Sequence, residues 1–150
     1  MKTDYQKSNS IMEVDFEVSQ DAVELAWKIM QAKETEDRQE LGDALLDELA
    51  DLAQIDIVKL KITDAKQYHK KRAGKVAMRQ YGYYKPSTKY IYINNRTAVQ
   101  GKVLAGKTFL NTLVHEWVHH YDCCKLGLNS IHTKGFYSRL NSLYKALLCE

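Results

Sequence analysis

The chain has 150 residues and a mass of 17.3 kDa, 45% of the residues are hydrophobic, and it holds 1 Pro and 7 Gly. That is one domain's worth of sequence, able to bury a core without disulfides, and it excludes a fibrous or disordered chain. The net charge of +3 hides an asymmetry: residues 1–56 carry 5 Lys/Arg and 15 Asp/Glu, whereas residues 57–150 carry 17 and 4.

No apolar run approaches the ~18 residues of a membrane span, so no membrane partner is expected. The polar start MKTDYQKSNS argues against a signal peptide. Three Cys without a C-x-x-C pair point to a reduced, cytoplasmic protein.

Residues 1–17 read as poorly ordered, being polar with little periodicity. Ser19 can cap a helix to about Lys33, with Val23, Ala26, Trp27 and Met30 at helical spacing. A second helix runs to about Ala53 on a stripe of Leu41, Ala44, Leu45, Leu49 and Leu52, with Asp43, Asp47 and Asp51 facing water.

The period then changes to two. Val58, Leu60 and Ile62 alternate with Lys59 and Lys61, as in a half-buried strand. Residues 76–84 and 89–94 read as two more strands, joined into a hairpin by Lys85-Pro86-Ser87-Thr88. Helical spacing returns near Gly106, where Leu110, Leu113, Val114, Trp117, Val118 and Tyr121 form a broad apolar face. A loop over 123–131 leads to a last helix, about Thr133 to Leu148, with a stripe of Phe136, Leu140, Leu143, Tyr144 and Leu147. This order predicts a single α+β domain with a small antiparallel or mixed sheet of about three strands.

The chemistry concentrates in His115-Glu116-Trp117-Val118-His119, an H-E-x-x-H sequence. Residues four apart share a helix face, so His115 and His119 present their rings to a common point, as a zinc ion requires. Glu116 is rotated by about 100° from His115, near the ion but off it, where it can accept a proton from an activated water. The apolar positions lie on the opposite side of the helix.

A catalytic zinc site needs a third protein ligand. The short H-x-x-G-x-x-H extension is absent, because Cys123-Cys124-Lys125 follows Asp122. His132 is the preferred third ligand, placed where the loop enters the last helix. Asp122 is the alternative, or else an acceptor for a ligand ring N–H, which is the preferred role. His120 leaves the ligand face and reads as a surface or loop-contacting residue. Cys123 and Cys124 sit past the end of that face and read as plain thiols.

These residues resemble the SprT-like zinc metallopeptidases, which include the Spartan-type protease domains. The resemblance runs over about residues 57–148. It rests on Tyr81-Gly82-Tyr83, on Tyr90-Ile91-Tyr92-Ile93-Asn94, on the H-E-x-x-H helix, and on His132-Thr133-Lys134-Gly135-Phe136 with Leu140. Thr133 stands where that family has Gly, and a minimal form without the zinc ribbon that often follows is expected.

The resemblance implies a zincin-like fold, one Zn2+ per chain, and proteolysis of DNA-bound proteins. In that reading His115, His119 and His132 hold the metal and Glu116 is the general base. Tyr121, Tyr137 and Arg139 are candidate oxyanion donors or outer supports of the site, among which the sequence does not choose. The strand with Tyr90, Tyr92 and Asn94 would pair with an extended peptide substrate.

DNA is a further expected partner. Ten basic residues against Asp64 alone between Lys59 and Lys89 nominate Lys70, Lys71, Arg72, Lys75 and Arg79 as contacts, with Tyr83, Tyr84 and Tyr90 interleaved. The competing reading is a nucleic-acid-binding module with a structural or silent metal site. A metal hydrolase with a non-peptide substrate ranks last.

Overall fold

Among the described residues the chain forms five strands and five helices, most of them set by period-two alternation or by amphipathic stripes of period 3.6. The computed structural model describes residues 2–64, 81–97 and 101–150, together with the backbone of 69–72 and 75–79. Its helices are α1 (Asp4–Ser10), α2 (Gln20–Gln31), α3 (Thr35–Ala53), α4 (Gly106–Lys125) and α5 (Lys134–Leu147). Its strands are β1 (Lys59–Thr63), β2 (His69–Arg72), β3 (Lys75–Arg79), β4 (Gly82–Lys85) and β5 (Tyr90–Asn94). The α+β class holds, and the sheet is mixed. No helix among the described residues is long and apolar enough to cross a membrane.

The sheet order is β1-β5-β4. β5 runs parallel to β1 (Leu60 beside Ile91) and antiparallel to β4 (Tyr84 beside Ile91). Leu60, Ile62, Ile91 and Ile93 point inward and are buried, where α3 and α4 cover them. β2 and β3 form a separate antiparallel ribbon. The predicted single strand over 76–84 is therefore two strands, of which only β4 joins the β5 hairpin.

The two sheet edges differ. Along β1, the Gln39 side chain of α3 donates to the Leu60 carbonyl and accepts from the Ile62 N–H, both at 2.8 Å. One amide thus takes the place of a neighbouring strand's peptide group. β4 is the other edge, and α4 packs beside it.

Three expectations need correction. Residues 1–17 contain α1, started by a reciprocal Thr3/Gln6 capping box, with Ser8 buried. Trp27 is 61% exposed, because α2 turns Ala22, Ala26 and Ile29 inward instead. The inward stripe of α3 is Gly42, Leu45, Leu46, Leu49 and Ala53, while Ala44 is exposed.

A close approach fixes α4 at its start. A Cβ on Gly106 would lie 2.1 Å from the Met30 carbonyl oxygen, so α2 ends against the first turn of α4 only because that position lacks a side chain.

Candidate metal centre

α4 is anchored by Leu110, Leu113, Val114, Trp117, Val118 and Tyr121, all fully buried. That anchoring turns His115 and His119 toward the cleft, and the loop before α5 brings His132 over them. Nε2 of His132 lies 3.1 Å from Nε2 of both His115 and His119. The three donor atoms fall within 4.8 Å of one another, close enough to hold a metal ion. A tetrahedral ion with bonds of about 2.0–2.1 Å needs donors about 3.3 Å apart, so the spacing fits.

The hydrogen bonds set the tautomer of His119. Both Asp122 carboxylate oxygens accept from the Arg139 guanidinium, at 3.0 and 2.8 Å. The Ser130 hydroxyl donates to Asp122 Oδ2 at 2.9 Å, so its oxygen is left to accept from His119 Nδ1, 2.7 Å away. His119 then carries its proton on Nδ1 and aims a bare Nε2 lone pair at the common point. Phe136, fully buried, lies under the cluster. Its ring stacks on His119 at 4.5 Å and meets His115 edge-on at 5.0 Å.

Burial keeps both helix-borne histidines neutral. Desolvation lowers His115 to about 4 and His119 to about 3, helped by the neighbouring imidazoles. Glu116 is 8% exposed, with an oxygen 3.9 Å from His115 Nε2. Desolvation raises its carboxyl to about 7, against an opposing contact with the Tyr84 backbone. These groups line a cleft of ≈ 670 Å³ that is walled on its far side by Tyr81 to Tyr84.

The loop carrying His132 is held from the other end of the chain. Asp4 accepts from the Asn129 N–H at 3.0 Å, and Lys7 donates to the Leu126 carbonyl. Ser8 and Thr133 share a 2.7 Å hydroxyl contact, and Asn9 accepts from the Gly135 N–H at 2.8 Å. Arg139 donates to the Ser8 and Ile11 carbonyls at 2.6 and 2.7 Å. A Cβ on Gly135 would meet the Ser8 carbonyl oxygen at 1.9 Å, so α1 reaches α5 only across a glycine. Thr133 caps α5 by accepting from the Phe136 N–H.

The structure brings His115, His119, His132 and Glu116 together. Asp122 lies one hydroxyl behind His119 and is fully buried, so it braces that ring through Ser130 and does not join the three-histidine cluster. Two oxyanion candidates are overturned. Tyr121 is buried among Phe16 and Trp117 with its hydroxyl on Asp15, and Arg139 is spent on Asp122 and the end of α1. Tyr137, 44% exposed, remains, with its ring 5.7 Å from that of His132.

The substrate-strand expectation is also overturned. Tyr90, Tyr92 and Asn94 belong to β5, whose backbone is paired on both sides, and Asn94 further accepts from the Thr63 hydroxyl. The strand facing the cleft is β4. His120 does leave the ligand face but is buried, between the Asp56 carbonyl and the Tyr84 hydroxyl. Lys70, Lys71, Arg72, Lys75 and Arg79 belong to β2 and β3, and their side chains lie outside the described residues.

Sequence reasoning missed Ser130 and Phe136 as supports and Tyr84 as part of the cleft wall. A hydroxyl two residues before His132 was the available signal for Ser130. Comparison with protein-family models, curated proteins and solved structures finds no match.

Proposed function

We propose that this chain is a zinc-dependent endopeptidase of the SprT-like, zincin type, acting on extended segments of proteins, DNA-associated ones among them. The carrying observation is the convergence of three imidazole nitrogens beside a buried carboxyl in one cleft.

His115, His119 and His132 would hold the ion. When bound, zinc lowers the pKa of a coordinated water to about 7 and polarises a carbonyl. Glu116, raised to about 7, accepts a proton near neutral pH and returns it to the leaving amine. A nearby cation favours its carboxylate form, so the working value lies below that of the metal-free site. β4 is the edge strand of the three-stranded sheet and lies beside the imidazoles, with one backbone group, at Tyr84, turned to Glu116. Backbone pairing there would align a peptide without reading its side chains, which leads to broad specificity. Tyr137 is the remaining side-chain donor for the oxyanion.

The test is zinc content and peptide cleavage for the wild type beside Glu116→Gln. One zinc per chain in both, with cleavage lost by about 10²–10⁴-fold in the variant, is the expected result. Equal cleavage by both proteins sinks the mechanism. Zinc without cleavage in the wild type favours the competing reading, a nucleic-acid-binding module with a structural metal.

A further inference from the structure

The face of the sheet turned away from the core is made largely of lysines and tyrosines. Alternation places Lys59, Lys61, Tyr90, Tyr92, Tyr83 and Lys85 on it together. Register makes two rows across the strands, Lys59–Tyr90–Lys85 and Lys61–Tyr92–Tyr83. The rings stack into a ladder. Tyr90 and Tyr92 lie 4.7 Å apart at 15°, and Tyr92 and Tyr83 lie 4.9 Å apart at 22°. Tyr83 ends the ladder and is 47% exposed. The three lysines are exposed, and none of β1, β4 or β5 carries a carboxylate.

We infer that this face binds a single strand of nucleic acid, its bases continuing the tyrosine ladder at Tyr83 and its phosphates meeting Lys59, Lys61 and Lys85. Flat parallel rings edged by cations are the two elements that hold a single strand without reading its sequence. A duplex keeps its base faces stacked internally and cannot use the ladder. Asp43 and Asp47 flank the outer side of Lys59 and Tyr90. They repel a phosphate backbone at the β1 border and direct it over β4. Tyr83 also lines the metal cleft, so a strand on this face would hold an attached protein next to the imidazoles. The binding surface uses no metal ligand, so it stands or falls separately from the peptidase reading.

Fluorescence anisotropy with a labelled 15-nucleotide oligo-dT, on the whole protein at two salt concentrations, tests this. The wild type is expected to bind the single strand more tightly than a duplex of equal length, equally with zinc or with chelator. Tyr83→Ala is expected to weaken binding about tenfold, with Tyr83→Phe restoring it. Replacing Lys59, Lys61 and Lys85 by Gln is expected to reduce the salt slope by about 2. Far-UV circular dichroism confirms that each variant is folded. The inference is overturned by absence of wild-type binding, or by a chelator abolishing it. It is also overturned if only the β2–β3 variant Lys70→Gln/Lys71→Gln/Arg72→Gln weakens binding, or if the lysines matter and Tyr83 does not.

Discussion

His115 and His119 are held by the helix that carries them, whereas His132 is held by a helix from the opposite end of the chain. The first pair needs only the pitch of α4 and the buried anchors Leu113, Trp117 and Val118. His132 sits on a loop fixed by Asp4, Lys7, Ser8 and Asn9, more than a hundred residues away in sequence. Arg139 joins the two arrangements. One side of its guanidinium grips the end of α1, and the other fixes Asp122, which orients Ser130 and through it His119. The three-histidine cluster is thus local in two members and long-range in the third, and the N-terminal segment helps to hold it.

The largest test of this contrast removes a helix-borne ligand. His119→Ala should abolish stoichiometric metal in native mass spectrometry with the fold retained; a variant still loaded would show that the convergence at Nε2 is not the site. Next, Ser130→Ala should lower metal affinity about 10–100-fold in a chelator competition. No change there would mean that the path from Arg139 to His119 does not orient the ring.

Deleting residues 1–12 should weaken metal binding by about tenfold, as expected for loss of outer supports. Amide exchange should quicken at Leu128 and Gly135 and stay slow in the middle of α4. Uniform exchange across both regions would break the distinction between local and long-range holding. In metal-free protein, ring NMR signals should show His115 and His119 neutral from alkaline pH down to about 5 and protonating near about 4 and about 3. Burial disfavours the charged ring, so the shift is downward; titration near the ordinary 6.5 would show that the pair is not desolvated. The smallest effect belongs to Asn9→Ala, which should cost about 1 kcal/mol in urea unfolding, the net worth of a typical hydrogen bond.

What the sequence disclosed follows the same division. The H-E-x-x-H spacing, the apolar face of α4 and the Tyr/Ile alternation of β5 are local patterns, and each is found where the spacing put it. α1 was illegible for a physical reason. Its seven residues, DYQKSNS, have no apolar stripe, and polar contacts with residues 126–139 hold it in place. Only the Thr3/Gln6 capping box spoke for it. The cleft strand was misassigned because alternation says which way Tyr90 and Tyr92 point but not which strands lie on either side. The parallel β1–β5 pairing, which makes β5 central, joins segments some thirty residues apart.

The Gln39 amide on β1 bears on how molecules of this protein meet one another. A sheet with two open borders can add copies without end, each new chain offering a fresh border to the next. Here one border is occupied from within by a side chain. A copy joining through β4 could only do so face to face, β4 on β4, and the pair would then be closed. Among the described residues the β1 border is closed and β4 is left as the one place where the sheet can be extended.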